Sequence, residues 1–172
     1  EWRRLFSQVV GFQPDNMKKL LARQEICHEQ PYENNPAAYL FALNTYIAIL
    51  AKIVTVCTLP RPSQNILNSV VPIAERLRAV ETGEIFEHSG ILNMLSGDFF
   101  AWYLDDTNWG RYKPHLECLL TALAGVDFTI AKKHPNTTRD LFKGIYERFI
   151  PREVRHALGE FYTPDWLAEH GI

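Results

Sequence analysis

The stretch from Pro36 to Cys57 constrains the fold more than any other part of the chain. It is apolar on nearly every side and is flanked by Pro36 on one end and Pro60 and Pro62 on the other. Proline fits the first turn of a helix and breaks a helix interior, because it lacks an N–H and its ring clashes with the preceding turn. The run therefore predicts one long helix that starts at Pro36 and ends before Pro60. A helix that is apolar all round has to be buried, in a protein core or in lipid. Its length would span a bilayer. Against that, Asn44, Thr45, Lys52 and Thr55 interrupt it, basic flanks are missing on one side, and the 172 residues hold no second run of the kind. The expectation is a buried central helix, with no membrane partner.

Helical periodicity dominates the remainder. Trp2, Leu5, Phe6, Val9 and Val10 follow i, i+3, i+4 spacing up to Gly11, and Asp15 can cap a helix through Met17, Leu20, Leu21 and Ile26. Residues 29–35 read as a loop. Ser63 can cap a segment leading to Ile73, Leu77 and Val80, in which Pro72 is either a kink or a new start, and Gly83 ends it. The run Asp98 to Leu104, rich in aromatics, predicts a short buried helix. Asn108, Gly110 and Pro114 predict a loop over 107–114. A helix follows with Leu116, Leu119, Leu120, Leu123, Val126 and Ile130 on one face, and Lys132 and Lys133 at its C-terminal end, where the helix dipole favours cations. Asn136-Thr137-Thr138 opens the next helix, Thr137 and Asp140 standing at capping-box spacing. Its apolar face is Leu141, Phe142, Ile145, Tyr146, Phe149 and Ile150. Pro151 breaks it, and residues 152–158 resume for one or two turns.

No alternating run argues for a sheet, and no repeat or low-complexity tract is present. The expected fold is mostly α: a single compact helical domain over residues 1–150, with a C-terminal extension over 151–172. Composition agrees, since 47% apolar and 22% charged residues are ordinary for a globular chain and unlike a disordered one. The three cysteines, Cys27, Cys57 and Cys118, are odd in number and far apart. Two of them lie in apolar runs, which predicts reduced thiols buried as small hydrophobes and a cytoplasmic location, not a disulfide framework or a zinc site. The beginning Glu1-Trp2-Arg3-Arg4 leads into an amphipathic segment, unlike a signal peptide.

Chemistry concentrates near the C-terminus, in Gly159-Glu160-Phe161-Tyr162-Thr163-Pro164-Asp165-Trp166. Thr163, ahead of a proline, is pushed toward extended geometry, and Thr-Pro makes a good N-cap followed by a good first helical residue. An aromatic pair thus leads into a helix N-terminus, an end able to receive an anion. Asp165 sits one position inside and opposes a phosphate more than it opposes a zwitterion. A plain capped helix start is the bland reading of the same residues.

Gly159 through Pro164 resembles, at every position, the Gly-(Gln/Glu)-(Phe/Tyr)-Tyr-Thr-Pro leader of adenine-N6 DNA methyltransferases of restriction–modification and phage-defence systems. The approach from Leu141 to Leu158, with Pro151 and Arg155-His156, is similar to that of the large single-chain members; Asp98 to Leu104 is similar to a piece of their helical region more loosely. The resemblance implies S-adenosylmethionine as cofactor of the parent enzyme, Thr163 as a direct cofactor contact, and Phe161, Tyr162 and Pro164 as pocket walls. The match covers about a tenth of the chain. The 172 residues contain neither the glycine-rich loop nor the Asn/Asp-Pro-Pro-Tyr/Phe motif that holds the flipped adenine. The expectation is therefore a helical region that supports a separate catalytic domain, has no catalytic residue of its own, is inactive alone and does not hold the cofactor by itself.

Charge supplies one more candidate. The net charge of −2 is unevenly spread: residues 132–155 carry seven basic side chains against three acidic ones, +4, leaving −6 elsewhere. Lys132, Lys133 and Arg139 are candidate contacts to a DNA backbone, where phosphate contacts position without specifying sequence. The competing reading of that stretch is a solvated helix face. The aromatics from Phe99 to Tyr103 read as core. The alternative for the whole chain is a non-enzymatic helical module that binds other proteins.

Overall fold

A computed structural model describes residues 35–59, 65–95, 99–129, 133, 141–150, 152–157 and 170. Six α-helices and one 3₁₀ helix are assigned across them: α1 (Pro36–Thr58), α2 (Ile73–Glu81), α3 (Glu84–Glu87), the 3₁₀ helix Phe99–Leu104, α4 (Asp106–Ala124), α5 (Leu141–Phe149) and α6 (Arg152–Ala157). No strand occurs among the described residues. The fold is mostly α, as the periodicity predicts. The helices expected over residues 2–10 and 15–26, and the capping residues Ser63 and Asn136 to Asp140, lie outside the described residues.

The chain forms two compact units. One spans Asn44–Phe142, and the other joins the chain up to Leu43 with the chain from Lys143 onward. These limits fall inside α1 and α5, away from the 150/151 position at which the sequence places a domain edge.

α1 begins at Pro36, as expected, and its start is better built than the loop reading allows. Asn35 is its cap: the side-chain Oδ1 accepts the Ala38 N–H at 3.1 Å, and the Asn35 carbonyl accepts Tyr39 N–H at 3.1 Å. The helix is a core helix. Ile49, Ile53, Val56 and Cys57 are buried with Leu77 and Val80 of α2, Ile85 and Phe86 of α3, Tyr103 and Leu104 of the 3₁₀ helix, and Leu116 and Leu120 of α4. Each fully buried side chain of this size contributes about 1.5–3 kcal/mol relative to exposure. By length and composition α1 also passes as a membrane span, and half of the relevant window is buried inside the protein.

Pro72 resolves as a start, not a kink: α2 begins directly after it. Residues 65–71 are turns held by side chains, Asn65 Oδ1 accepting the N–H groups of Leu67 and Asn68 and Ser69 Oγ that of Val71. Gly83 ends α2 with φ +83°.

The loop expected over 107–114 is a correction. α4 runs unbroken from Asp106 to Ala124 with Pro114 inside it. The apolar stripe explains why. Trp109 and Tyr112 precede Leu116, Leu119 and Leu123 at helical spacing, and all of them pack on the core. That burial outweighs the loss of the bond that an N–H at position 114 would make to the Gly110 carbonyl.

The far end of this helix is corrected too. It stops at Gly125, Val126 is 50% exposed and not part of the face, and Lys133 therefore does not cap α4. Cys118 is a further correction. It is exposed, on the side of α4 away from Leu116 and Leu120, while Cys57 is buried as expected. In α5, Phe142 is 45% exposed although its spacing placed it on the apolar face; Ile150 just beyond is fully buried.

Candidate functional site

Within the unit spanning Asn44–Phe142, the charged side chains that matter most are inside. Lys52 is the one charged residue of α1. Its Nζ lies 2.5 Å from Glu81 Oε2, and the two side chains are 10% and 5% exposed. Tyr103 OH donates to the other carboxylate oxygen, Oε1, at 2.7 Å. Both oxygens of Glu81 are thus engaged, and α1, α2 and the 3₁₀ helix meet at one carboxylate. Beside it, Trp102 Nε1 donates to Thr45 Oγ1 at 3.0 Å, and the Trp102 ring meets Tyr112 edge-on with centroids 5.2 Å apart.

By its place just before Thr82-Gly83, Glu81 reads in the sequence as an ordinary helix-end charge, and Lys52 reads only as an interruption of the apolar run. Yet a lysine in an otherwise apolar buried helix requires a partner, and that signal was legible. The triad is closed off by the core around it, so its role is to fix the register of three elements. Of the aromatics in the 3₁₀ helix, Tyr103 is buried in the core, as expected, and Trp102 packs against it partly buried.

The second arrangement lies in the other unit, on the approach to the Gly159–Pro164 motif. Arg155 was counted among the basic residues of a charged face, and that is corrected. It is buried, its Nε donates to the Ile150 carbonyl at 3.0 Å, and its Nη2 lies 3.3 Å from Glu147 Oε1. Pro151 interrupts the helical ladder and the Arg155 guanidinium takes over the Ile150 carbonyl, so the break between α5 and α6 is bridged. Val154 and Ile150 are fully buried on the same stretch. Arg152 and His156 are exposed, with Arg152 Nε 3.4 Å from His156 Nε2.

The candidate cofactor residues Phe161, Tyr162, Thr163 and Pro164, and two of the candidate DNA contacts, Lys132 and Arg139, lie outside the described residues. Lys133 is described, helical and exposed. It is close enough to Asp127 for its charge to help hold that carboxyl below its ordinary range, behind the larger effect of the hydrogen bonds from Thr129. Among the described residues no cluster of three His, Cys, Asp or Glu could hold a metal ion.

Comparison with known proteins returns nothing: the chain matches no protein family, no curated protein and no solved structure.

Proposed function

We propose that the chain is the helical region preceding the catalytic domain of an S-adenosylmethionine-dependent adenine-N6 DNA methyltransferase, acting as its support and touching DNA through the full-length enzyme. The observation that carries the reading is the run Gly159-Glu160-Phe161-Tyr162-Thr163-Pro164, which follows the leader pattern of that family at each of its positions. Support comes from the stretch before it. Arg155, held by Ile150 and Glu147, ties α6 to the end of α5 in the stretch that precedes this motif in sequence. A motif that borders a cofactor needs such a fixed approach, because small misplacements of positioning groups are costly in rate.

In this reading the family's cofactor supplies the methyl group, and the part of this chain is positional: Thr163 would touch the cofactor, with Phe161, Tyr162 and Pro164 around it. Lys132, Lys133 and Arg139 would meet phosphates.

The test is the open reading frame that contains these residues, expressed whole and assayed for N6-methyladenine in host DNA. Methylation that is lost in Thr163→Pro and in a catalytic-motif variant supports the reading. A reading frame with neither a glycine-rich loop nor Asn/Asp-Pro-Pro-Tyr/Phe sinks it. Replacing Lys132, Lys133 and Arg139 together by Gln should weaken DNA binding at all sequences and flatten its salt dependence. An unchanged salt slope removes these residues from the interface.

A further inference from the structure

Around the break between α5 and α6, burial and exposure both repeat every four residues. Ile150 and Val154 are fully buried, and Arg155 is buried beside them. Arg148, Arg152 and His156 are all exposed. At 3.6 residues per turn, a residue two positions away stands about 200° round a helix. The Ile150 N–H still reaches the Tyr146 carbonyl at 2.9 Å, so Arg148 lies on the side of α5 away from Ile150. By the same arithmetic Arg152 and His156 lie on the side of α6 away from Val154. The bonds of Arg155 to Ile150 and Glu147 hold the two helices together.

The acids of this stretch do not neutralise that outer side. Glu147 is engaged by Arg155, and neither Arg148 nor Arg152 pairs with a carboxylate among the described residues. Glu153 is exposed about a quarter-turn from Arg152 and makes no ion pair with it. Arg152 is also oriented: its Nε donates to His156 Nε2 across 3.4 Å. That contact leaves both terminal Nη groups of Arg152 without an acceptor among the described residues. An arginine held in this way keeps the planar donor fork that matches a phosphate bidentately.

We propose that this row lies along the backbone of duplex DNA, with Arg148 and Arg152 on phosphates and His156 positioning Arg152. The choice of DNA as the polyanion rests on the function proposed above. Side chains four apart on a helix stand about 5–6 Å from one another at their Cβ atoms. Such a row offers repeated single charges to a linear polyanion and no closed pocket to a small one. An anionic membrane is the poorer partner, since Ile150 and Val154, which alternate with the row, are buried and unable to enter a bilayer. Arg155 takes no part in phosphate binding, because it is inside.

The probe is a short random-sequence DNA duplex, titrated with the 172-residue chain over a series of KCl concentrations and read by fluorescence anisotropy. Binding on the order of 10⁻⁵ M that falls with salt is expected. Arg148→Gln and Arg152→Gln should each lower the slope of log K against log salt by about 0.9 and weaken binding several-fold. Both side chains are exposed, so far-UV circular dichroism should be unchanged. His156→Ala removes no phosphate contact and should weaken binding with the slope unaltered. Lys113→Gln, which deletes one exposed charge of α4, is the control for net charge and should change neither. No binding to the duplex, slopes unmoved in both arginine variants, an equal drop in Lys113→Gln, or tighter binding to phosphatidylserine vesicles than to the duplex overturns the proposal. Methylation by the whole reading frame tests the parent enzyme separately, so the row can fail while that reading stands, and the reverse.

Discussion

Lys52 and Glu81, separated by 29 positions in the chain, form a 2.5 Å ion pair that the core almost closes off from water, and Tyr103 donates to the carboxylate from the other side. Removing one member of such a pair leaves the other charge buried without a partner, which costs about 3–5 kcal/mol, whereas replacing both by apolar groups is often neutral or better. Lys52→Met and Glu81→Gln should each lower stability by that order in urea unfolding, and Lys52→Met with Glu81→Leu should recover most of it. Tyr103→Phe removes one hydrogen bond to a charged group and should cost about 1.5–3 kcal/mol. Single variants that lose less than about 1 kcal/mol would mean that water reaches the pair.

Pro114 offers the opposite sign. A proline in a helix interior costs about 3 kcal/mol or more, partly offset because it also restricts the unfolded chain by about 0.4–1 kcal/mol. Pro114→Ala should restore the bond to the Gly110 carbonyl and raise stability by about 1–3 kcal/mol, read as a shift of the urea midpoint with unchanged slope. A loss of stability would show that the restriction proline places on the unfolded chain outweighs the missing bond.

Pro114 also shows what could be read from the sequence and what could not. Local signals were decisive where they agreed with one another: Pro36, the apolar run after it and Pro60 bound α1 correctly, and Gly83 and Pro151 sit where helices stop. Between Thr107 and Pro114 the local breakers said loop, but the stripe of Trp109, Tyr112 and Leu116 said helix, and burial of that stripe against the core decided it. The roles of Glu81 and Arg155 were hidden for another reason. Their partners are set by how helices pack, and in single-sequence terms a buried, paired acid at a helix end looks the same as a solvated one. The Gly159–Pro164 run lies outside the described residues, and its reading rests on residue identity at fixed spacing alone.

Gly83 and Gly90 have the same backbone angle, φ +83°, in different surroundings. A Cβ at Gly83 would lie 3.3 Å from the Leu95 carbonyl oxygen, whereas one at Gly90 would meet nothing within 4 Å. Left-handed geometry alone costs a residue with a Cβ about 1–2 kcal/mol. Gly90→Ala should lose that much, and Gly83→Ala about 1 kcal/mol or more beyond it through crowding. Thermal unfolding of the two variants side by side separates the terms; equal losses would mean that the Leu95 segment yields freely.

Arg155 should matter more as a donor than as a charge. Glu147 is 39% exposed on its side chain, so solvent screens the ion pair and Glu147→Gln should cost under about 1 kcal/mol. Arg155→Met also abandons the buried Ile150 carbonyl and should cost about 1–3 kcal/mol. Hydrogen exchange across residues 150–157 should rise more in Arg155→Met than in Glu147→Gln, and the reverse order would reassign the role to the ion pair.

Asp127 is exposed, and its carboxyl is nevertheless held below its ordinary range, first by the Thr129 side-chain hydroxyl, then by the Thr129 N–H at 2.8 Å, with the Lys133 charge adding to both. A carboxyl whose pKa is lower folded than unfolded favours the folded turn above its unfolded pKa. That contribution is lost as pH falls through the folded pKa. The turn at 127–129 should therefore be intact at neutral pH and loosen only in acid, below the range where free aspartate protonates. Thr129→Ala, which removes the hydroxyl but keeps the backbone donor, should raise the Asp127 midpoint in a ¹³C carboxyl titration. Lys133→Met should raise it less, and added salt should erase that smaller part by screening. A midpoint unmoved in Thr129→Ala would take the hydroxyl out of the turn and leave the backbone N–H as its only support.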